Sequence, residues 1–410
     1  MKIRALTYFY DPNQMDHGLA MDQCASHAFR LKRSLRSIGI DVETTRLATS
    51  PFPTWLDCDE PYGLVEKAVI LQNQAKSLGF AYISFGPALP EQPRSYRRVP
   101  AILKETDSLF VTGFMTRENS VVDLNAVRAC AWIIHQTAPQ HKDGFNNLRF
   151  SALGNVPPNC PYFPSAYAEA GNGLGFALAI ESADAAYTVF SKAASFESAR
   201  TELLEQLHSF TREIELEIAQ VTESSDFTFH GFDISLAPYP APGCSLGEAI
   251  ETLGLPGYGL AGSLAASAFV TSTLDMGKWR KAGFNGLMAP VLEDAMLAQR
   301  AADGTLTVKD LVMFSAVCGT GLDTLPLPGD VSEDQLYAIL LDIAALSQRL
   351  SKPLTARLMP IPGKQPGDET SFDFEYFANS RVMGLAAEQL TNLFASETEL
   401  RVPPRILKAG

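Results

Sequence analysis

The sequence predicts an α/β protein built as one large barrel. Three observations predict it. Short β-branched or aromatic runs alternate with longer amphipathic runs. About ten of the short runs read as strands, most of them followed by a helical pattern. No linker rich in Pro, Gly or Ser divides the 410 residues. Strand–helix alternation implies a sheet that is mostly parallel or made of parallel halves. The count favours a ten-stranded α/β barrel over an eight-stranded one. The expected organisation is a single domain, 1–410, with residues from about 398 to 410 as a peripheral tail.

In chain order, the expected strands are Ile3–Phe9, Ile40–Leu47, Phe80–Phe85, Ser108–Gly113, Leu148–Leu153 and Leu174–Ile180. Phe227–Leu236, Phe284–Ala289, Met313–Val317 and Leu354–Met359 follow. Between the sixth and seventh, the run Phe196–Val221 places Leu203, Leu207, Phe210, Ile214 and Ile218 at three- and four-residue steps. That spacing makes one apolar helix face. Leu246–Leu253 and Leu260–Met276 also read as helical. A last helix, Asp334–Leu350, has Ser332 as its cap and stops before Pro353.

Composition excludes several functions. Lys and Arg total 33 against 46 Asp and Glu, a net charge of −13. A surplus of that sign opposes nucleic acid and anionic membranes as partners. Hydrophobic residues reach 46%, enough for a large core, so disorder is excluded. The first residues, MKIRALTYFY, alternate as a strand and lack the apolar core of a signal peptide. No apolar run is long enough to span a bilayer. Six cysteines with no C-x-x-C pair suit reduced thiols in a cytoplasmic protein.

The candidate chemistry clusters late in the chain. Ser315-Ala-Val-Cys318-Gly-Thr-Gly321-Leu-Asp323 reads as a strand ending in a glycine turn. Pro326-Leu-Pro328-Gly329-Asp330 reads as a rigid turn after it. Another strand runs from Gly286 to Glu293 and Asp294, and Leu354-Thr-Ala-Arg357 leads toward Asp368. Polar strand ends entering rigid loops are where barrel enzymes keep their sites. Cys318, Glu293 and Asp323 are therefore the candidate catalytic residues. Cys318 has a competing role as a small buried residue in a tight turn, and the neighbouring carboxylates oppose a thiolate. Asp294, Asp330 and Asp368 are candidate ligands of a divalent cation such as Mg²⁺, with turn and capping roles as the alternative. Asp233 and Ser235 share one strand face and are candidate ligand contacts. So is Arg357. Gly257-Tyr-Gly259-Leu-Ala-Gly262 matches a dinucleotide fingerprint by letter, but a helical run precedes it where a strand is required. The reading kept for Gly257, Gly259, Gly262 and Ser263 is an anion-holding helix entry, or a plain glycine turn.

These motifs resemble a bacterial and archaeal family of unknown function, number seven-eleven in the domain-of-unknown-function series. The carrying segments are Asp233-Ile-Ser235-Leu-Ala-Pro238, Gly286 through Asp294, Ala316-Val-Cys318-Gly-Thr-Gly321-Leu-Asp323 with Pro328-Gly329-Asp330, and Pro360-Ile-Pro362-Gly363 with Gly367-Asp368. The resemblance implies a barrel like that of pyruvate formate-lyase: ten strands in two half-barrels, with a working cysteine on an interior loop. Cys318 fills that place by analogy. Arg381-Val-Met-Gly384-Leu is similar to a glycyl-radical loop but lacks its closing aromatic, so no radical mechanism is expected. The expected function is an enzyme, of lyase or hydrolase class, acting on a small anionic metabolite. The alternative is a non-catalytic metabolite sensor or scaffold. A homodimer is the base-rate expectation.

Overall fold

The computed structural model describes residues 1–223 and 225–405. Its strands are β1 (Lys2–Tyr10), β2 (Val42–Thr49), β3 (Tyr82–Ala88), β4 (Leu109–Phe114), β5 (Thr116–Arg117), β6 (Val121–Asp123), β7 (Phe150–Gly154), β8 (Gly175–Glu181), β9 (Thr228–Ala237), β10 (Gly321–Pro328), β11 (Leu354–Ile361) and β12 (Glu399–Arg401). Nine form one mixed, mostly parallel sheet in the order β10-β11-β7-β4-β3-β2-β1-β8-β9. Its strands are buried on both faces, which is why they read as near-continuous apolar runs.

Two junctions in the sheet are antiparallel, β1 with β8 and β7 with β11. All its other pairings are parallel. The strands β1, β2, β3, β4 and β7 therefore run one way, and β8, β9, β10 and β11 run the other. Parallel halves were expected, and they are present. A closed ten-stranded barrel was also expected, and the nine-stranded sheet is not closed. The run Phe284–Ala289 forms no regular strand, because Gly283 and Asn285 take positive φ of 76° and 47°. The stretch around it still bonds to both end strands. Phe232 and Ala282 bond with Arg280 and Phe232 at 2.8 and 2.9 Å, and Met288 N donates to Ser235 at 3.1 Å. On the other side Gly319 N reaches Leu287 at 2.8 Å and Val291 N reaches Asp323 at 3.1 Å.

Met313–Val317 is likewise not a strand. A helix runs Val308–Phe314, and Cys318 N closes on Phe314 O at 2.7 Å. The strand is the following β10, whose Pro326 and Pro328 had suggested a turn. Prolines fit there because β10 ends the sheet, where a missing N–H breaks no ladder.

One sheet face packs on helices. Ile3, Leu6, Tyr8 and Tyr10 of β1 meet Cys24, Ala28 and Leu31 of the helix His17–Ser37. The long helix Phe196–Thr222 lies beyond, burying Leu203, Leu207, Ile214 and Ile218 as its spacing predicts. The helix Glu333–Leu350 starts with a Ser332–Gln335 capping box. The other face holds the loop between β7 and β8. Cys160, Tyr162, Phe163, Ala166 and Tyr167 of that loop pack on Ala5, Phe9, Ala48, Ala177 and Ala179. Thr7 and Ser84 pin the loop through the carbonyls of Pro161 at 2.8 Å and Ala166 at 2.7 Å. Of the expected tail, residues 399–401 pair with β6, and 406–410 lie outside the described residues.

His27 illustrates the helical layer. It shares a 2.7 Å hydrogen bond with Tyr8 and lies against Phe176 and Phe227, fully buried. Burial, helped by Arg30, pushes its pKa down from 6.5 to about 4. Neutral His27 thus contributes stability that is complete above pH 6.5 and is lost as pH falls toward 4. The loss at pH 4.5 is about 2–3 kcal/mol. Urea unfolding should show the wild type losing that much more than His27→Gln between pH 7.5 and 4.5.

Candidate functional site

A cavity of about 210 Å³ opens on the sheet face that carries the loop between β7 and β8. Its lining includes Arg4, Arg46, Arg149, Glu293, Asp323 and Arg357, with the rings of Tyr82, Phe110, Phe163 and Tyr376 around them. A chain of ion pairs organises one end. Arg4 donates to Glu181 and Glu293, both at 3.0 Å. Arg357 donates to Glu293 at 2.6 Å and to Asp323 at 2.5 Å. Glu293 is thus gripped by two guanidinium groups. Arg4 also stacks on Tyr376, 4.6 Å from the ring centre.

Irregularities in the strands aim these groups. The ladder of β1 with β8 skips a residue between Ile3 and Ala5, and Arg4 is the residue skipped. The ladder of β10 with β11 shifts between Leu322 and Leu325, across Asp323 and Thr324. Glu181 sits beside the shift between β8 and β9. A bulge adds a residue outside the two-residue alternation, so a charge can enter the cavity while its neighbours stay in the core. Glu293 arrives from the chain after Val291, which bonds to Asp323.

Burial weighs on each charge. It pushes the Asp323 carboxyl up, with Glu293 adding to the rise and Arg357 opposing it. Glu181 is also raised by burial, against the pull of Arg4 and Lys2. Burial opposes the Arg357 charge too, but Asp323 and Glu293 outweigh it and hold its pKa above the usual value.

The structure brings Glu293, Asp323 and Arg357 together, as strand-end reasoning proposed. It leaves the other candidates elsewhere. Cys318 does not line this cavity; it is buried in the turn before β10, where its Sγ accepts Gly321 N at 3.3 Å. The loop between β7 and β8 carries a different cysteine, Cys160, beside Asp233. Asp233 and Ser235 do face inward, but as an anchor. Asp233 accepts Phe284 N at 2.7 Å, Asn285 N at 2.9 Å and the Ser235 hydroxyl at 2.5 Å. Burial pushes its carboxyl up to about 6 despite those bonds.

The expected cation ligands Asp294, Asp330 and Asp368 are occupied in other ways. Asp294 is fully buried and caps two helices, accepting Leu246 N at 2.6 Å, Gly247 N at 3.2 Å, and Met296 and Leu297 N at 3.0 Å. Its lone pairs are taken by these backbone donors and by the Ser245 hydroxyl. Asp330 and Asp368 are exposed and both engage Gln365. Among the described residues no three His, Cys, Asp or Glu side chains are grouped to hold a metal ion. The Gly257–Ser263 turn lies away from the cavity as well. A Cβ on Gly259 would stand 2.4 Å from Thr305 O, and Ser263 Oγ accepts Gly259 N at 3.0 Å, so it is a packed turn entering the helix Ser263–Asp275.

Sequence reasoning missed Arg4, Arg46 and Arg149. The available signal was an arginine inside an otherwise buried strand run, as in Ile3-Arg4-Ala5-Leu6 and Thr45-Arg46-Leu47. A doubly buried strand has no place for a charge unless a cavity receives it.

The large, mostly parallel sheet with helices on one face and a charged cavity on the other defines a mixed α/β protein. The chain belongs to the family described as Uncharacterised ACR (DUF711), whose pattern matches residues 1–379. A UPF0210 protein of Pyrobaculum arsenaticum is 31% identical over 354 residues, covering 81% of this chain and 76% of that one. A UPF0210 protein of Bifidobacterium longum subsp. infantis is 27% identical over 359 residues, covering 82% and 78%. Among the described residues no helix is long and apolar enough to cross a membrane.

Proposed function

We propose that the protein is an enzyme acting on a small anionic metabolite held in this cavity. The observation that carries the reading is the pair of buried Asp323 and half-buried Glu293, both held by Arg357. Burial favours a proton on Asp323, while Glu293 is held between the guanidinium groups of Arg4 and Arg357. Two neighbouring carboxyls in unlike environments suit general acid and general base work. This points to proton-transfer chemistry of the lyase or hydrolase kind. We also read residues 280–291 as an irregular tenth strand, completing two five-stranded half-barrels as in pyruvate formate-lyase. Their bonds to β9 and β10 support that reading.

A metabolite-turnover screen, run aerobically and anaerobically, tests the function. Once a substrate is found, Glu293→Gln and Asp323→Asn should each lower kcat roughly 10²–10⁴-fold. Cys318→Ala should keep turnover. Full activity in both carboxylate variants would remove the proposal. A non-catalytic sensor is the second reading, favoured by a lining with no histidine or cysteine among the described residues. Tight binding of a metabolite without product formation would select it.

A further inference from the structure

Arg46 narrows the class of anion, in an inference that rests on the reading above. Arg46 is only 8% exposed, and it lines the cavity from β2. Its Nε donates to Thr44 Oγ1 at 3.0 Å. Among the described residues, no carboxylate lies within salt-bridge distance of it and its two terminal nitrogens donate to no protein group. The other cavity arginines are occupied. Arg4 and Arg357 hold carboxylates. Arg149 donates to Leu103 O, Leu109 O, Thr106 and Asn146 at 2.6–3.2 Å.

A buried guanidinium without a counter-charge is costly, and a ligand anion would remove the cost. Burial and Arg4 push the Arg46 pKa down to about 10, which still leaves it charged at neutral pH. Its fork of N–H groups matches the two oxygens of a carboxylate. One free guanidinium suits one negative charge. A phosphate dianion would bring a second charge toward Glu293 and Asp323. The flanking surfaces are aromatic: the guanidinium lies 5.5 Å from the Tyr82 ring centre and 5.3 Å from that of Phe163. Phe110 stands edge-on to both rings at 5.2 Å. Such walls accept a flat or apolar body.

We propose that Arg46 is the anion-recognising residue of the cavity, and that its ligand is a small carboxylate monoanion with a planar or apolar body rather than a phosphate ester. The carboxylate docks on the free N–H groups of Arg46. The remainder of the ligand lies along Tyr82, Phe110 and Phe163 toward Glu293 and Asp323.

Titration calorimetry on the full chain tests this with benzoate, isovalerate, phenyl phosphate and inorganic phosphate. The carboxylates should bind, and each should bind more tightly than phenyl phosphate. Arg46→Met should weaken benzoate binding roughly 10- to 100-fold. Arg46→Lys, which keeps the charge but loses the fork, should fall between and guards against a misfolded methionine variant. Thermal unfolding checks that each variant is folded. Equal affinity in wild type, Arg46→Met and Arg46→Lys would overturn the inference. So would tighter binding of phenyl phosphate, or no binding of either carboxylate. Failure of the enzymatic reading looks different: carboxylates would bind through Arg46, while Glu293→Gln and Asp323→Asn changed no turnover.

Discussion

Arg357→Leu is expected to destabilise the fold by about 3–5 kcal/mol, because removing it strands the buried Asp323 carboxylate. Arg357 is the hinge of the network: among the described residues it alone pairs with Asp323, and it shares Glu293 with Arg4. Without it Asp323 keeps no cationic partner within salt-bridge distance among the described residues. The Asp323 carboxyl, already raised by burial and no longer opposed by Arg357, would then take up a proton more readily in the folded state. The folded variant therefore gains protons relative to the wild type as pH drops, and the destabilisation should shrink. Urea unfolding at pH 8 and pH 5 measures it; the variant's deficit should be clearly smaller at pH 5. An equal deficit at both values would show that Arg357 acts through packing alone.

Gly286→Ala should cost about 3 kcal/mol or more, the upper range for forcing atoms into a packed interior. Its Cβ would stand 2.5 Å from the Cα of Gly319. The reverse change at Gly319 meets Gly286 Cα at 2.6 Å. Backbone opposes backbone, so no side chain can swing away. The stretch after Gly286 would have to leave β10, straining the Gly319 to Leu287 bond and shifting Met288, which lines the cavity. Gly63→Ala is the control, since nothing lies within 4 Å of a Cβ there and helical alanine outranks glycine. Denaturant midpoints should fall for Gly286→Ala and hold or rise for Gly63→Ala.

The strands of the first half were legible because burial on both faces leaves continuous β-branched and aromatic runs. The helices Phe196–Thr222 and Glu333–Leu350 were legible from spacing and a cap. Glu293, Asp323 and Arg357 were found as polar residues where apolar runs end. What escaped is long-range. Prolines 326 and 328 imitate a turn unless β10 is known to end a sheet. Cys318 looked like a site because its glycines permit close approach, and that approach is to Gly286 rather than to a ligand. Arg46 and Arg4 escaped because a local pattern cannot tell a charge facing a cavity from one at a surface. Bulges, which turn Arg4 and Asp323 inward, leave no mark on a period-two reading.

The antiparallel junction of β7 with β11 also sets a timetable for biogenesis. Strands β1, β2, β3, β4 and β7 are complete once residue 154 has left the ribosome. The partner of β7 on its far side begins at Leu354. At elongation rates of about 5–20 residues per second those intervening residues take roughly 10–40 s. Through that interval the nascent half-sheet presents a bare β7 edge to whatever strand arrives first. An exposed strand edge invites pairing with another chain, so the newborn protein is expected to be open to mispairing at β7 well after half of its strands have been made.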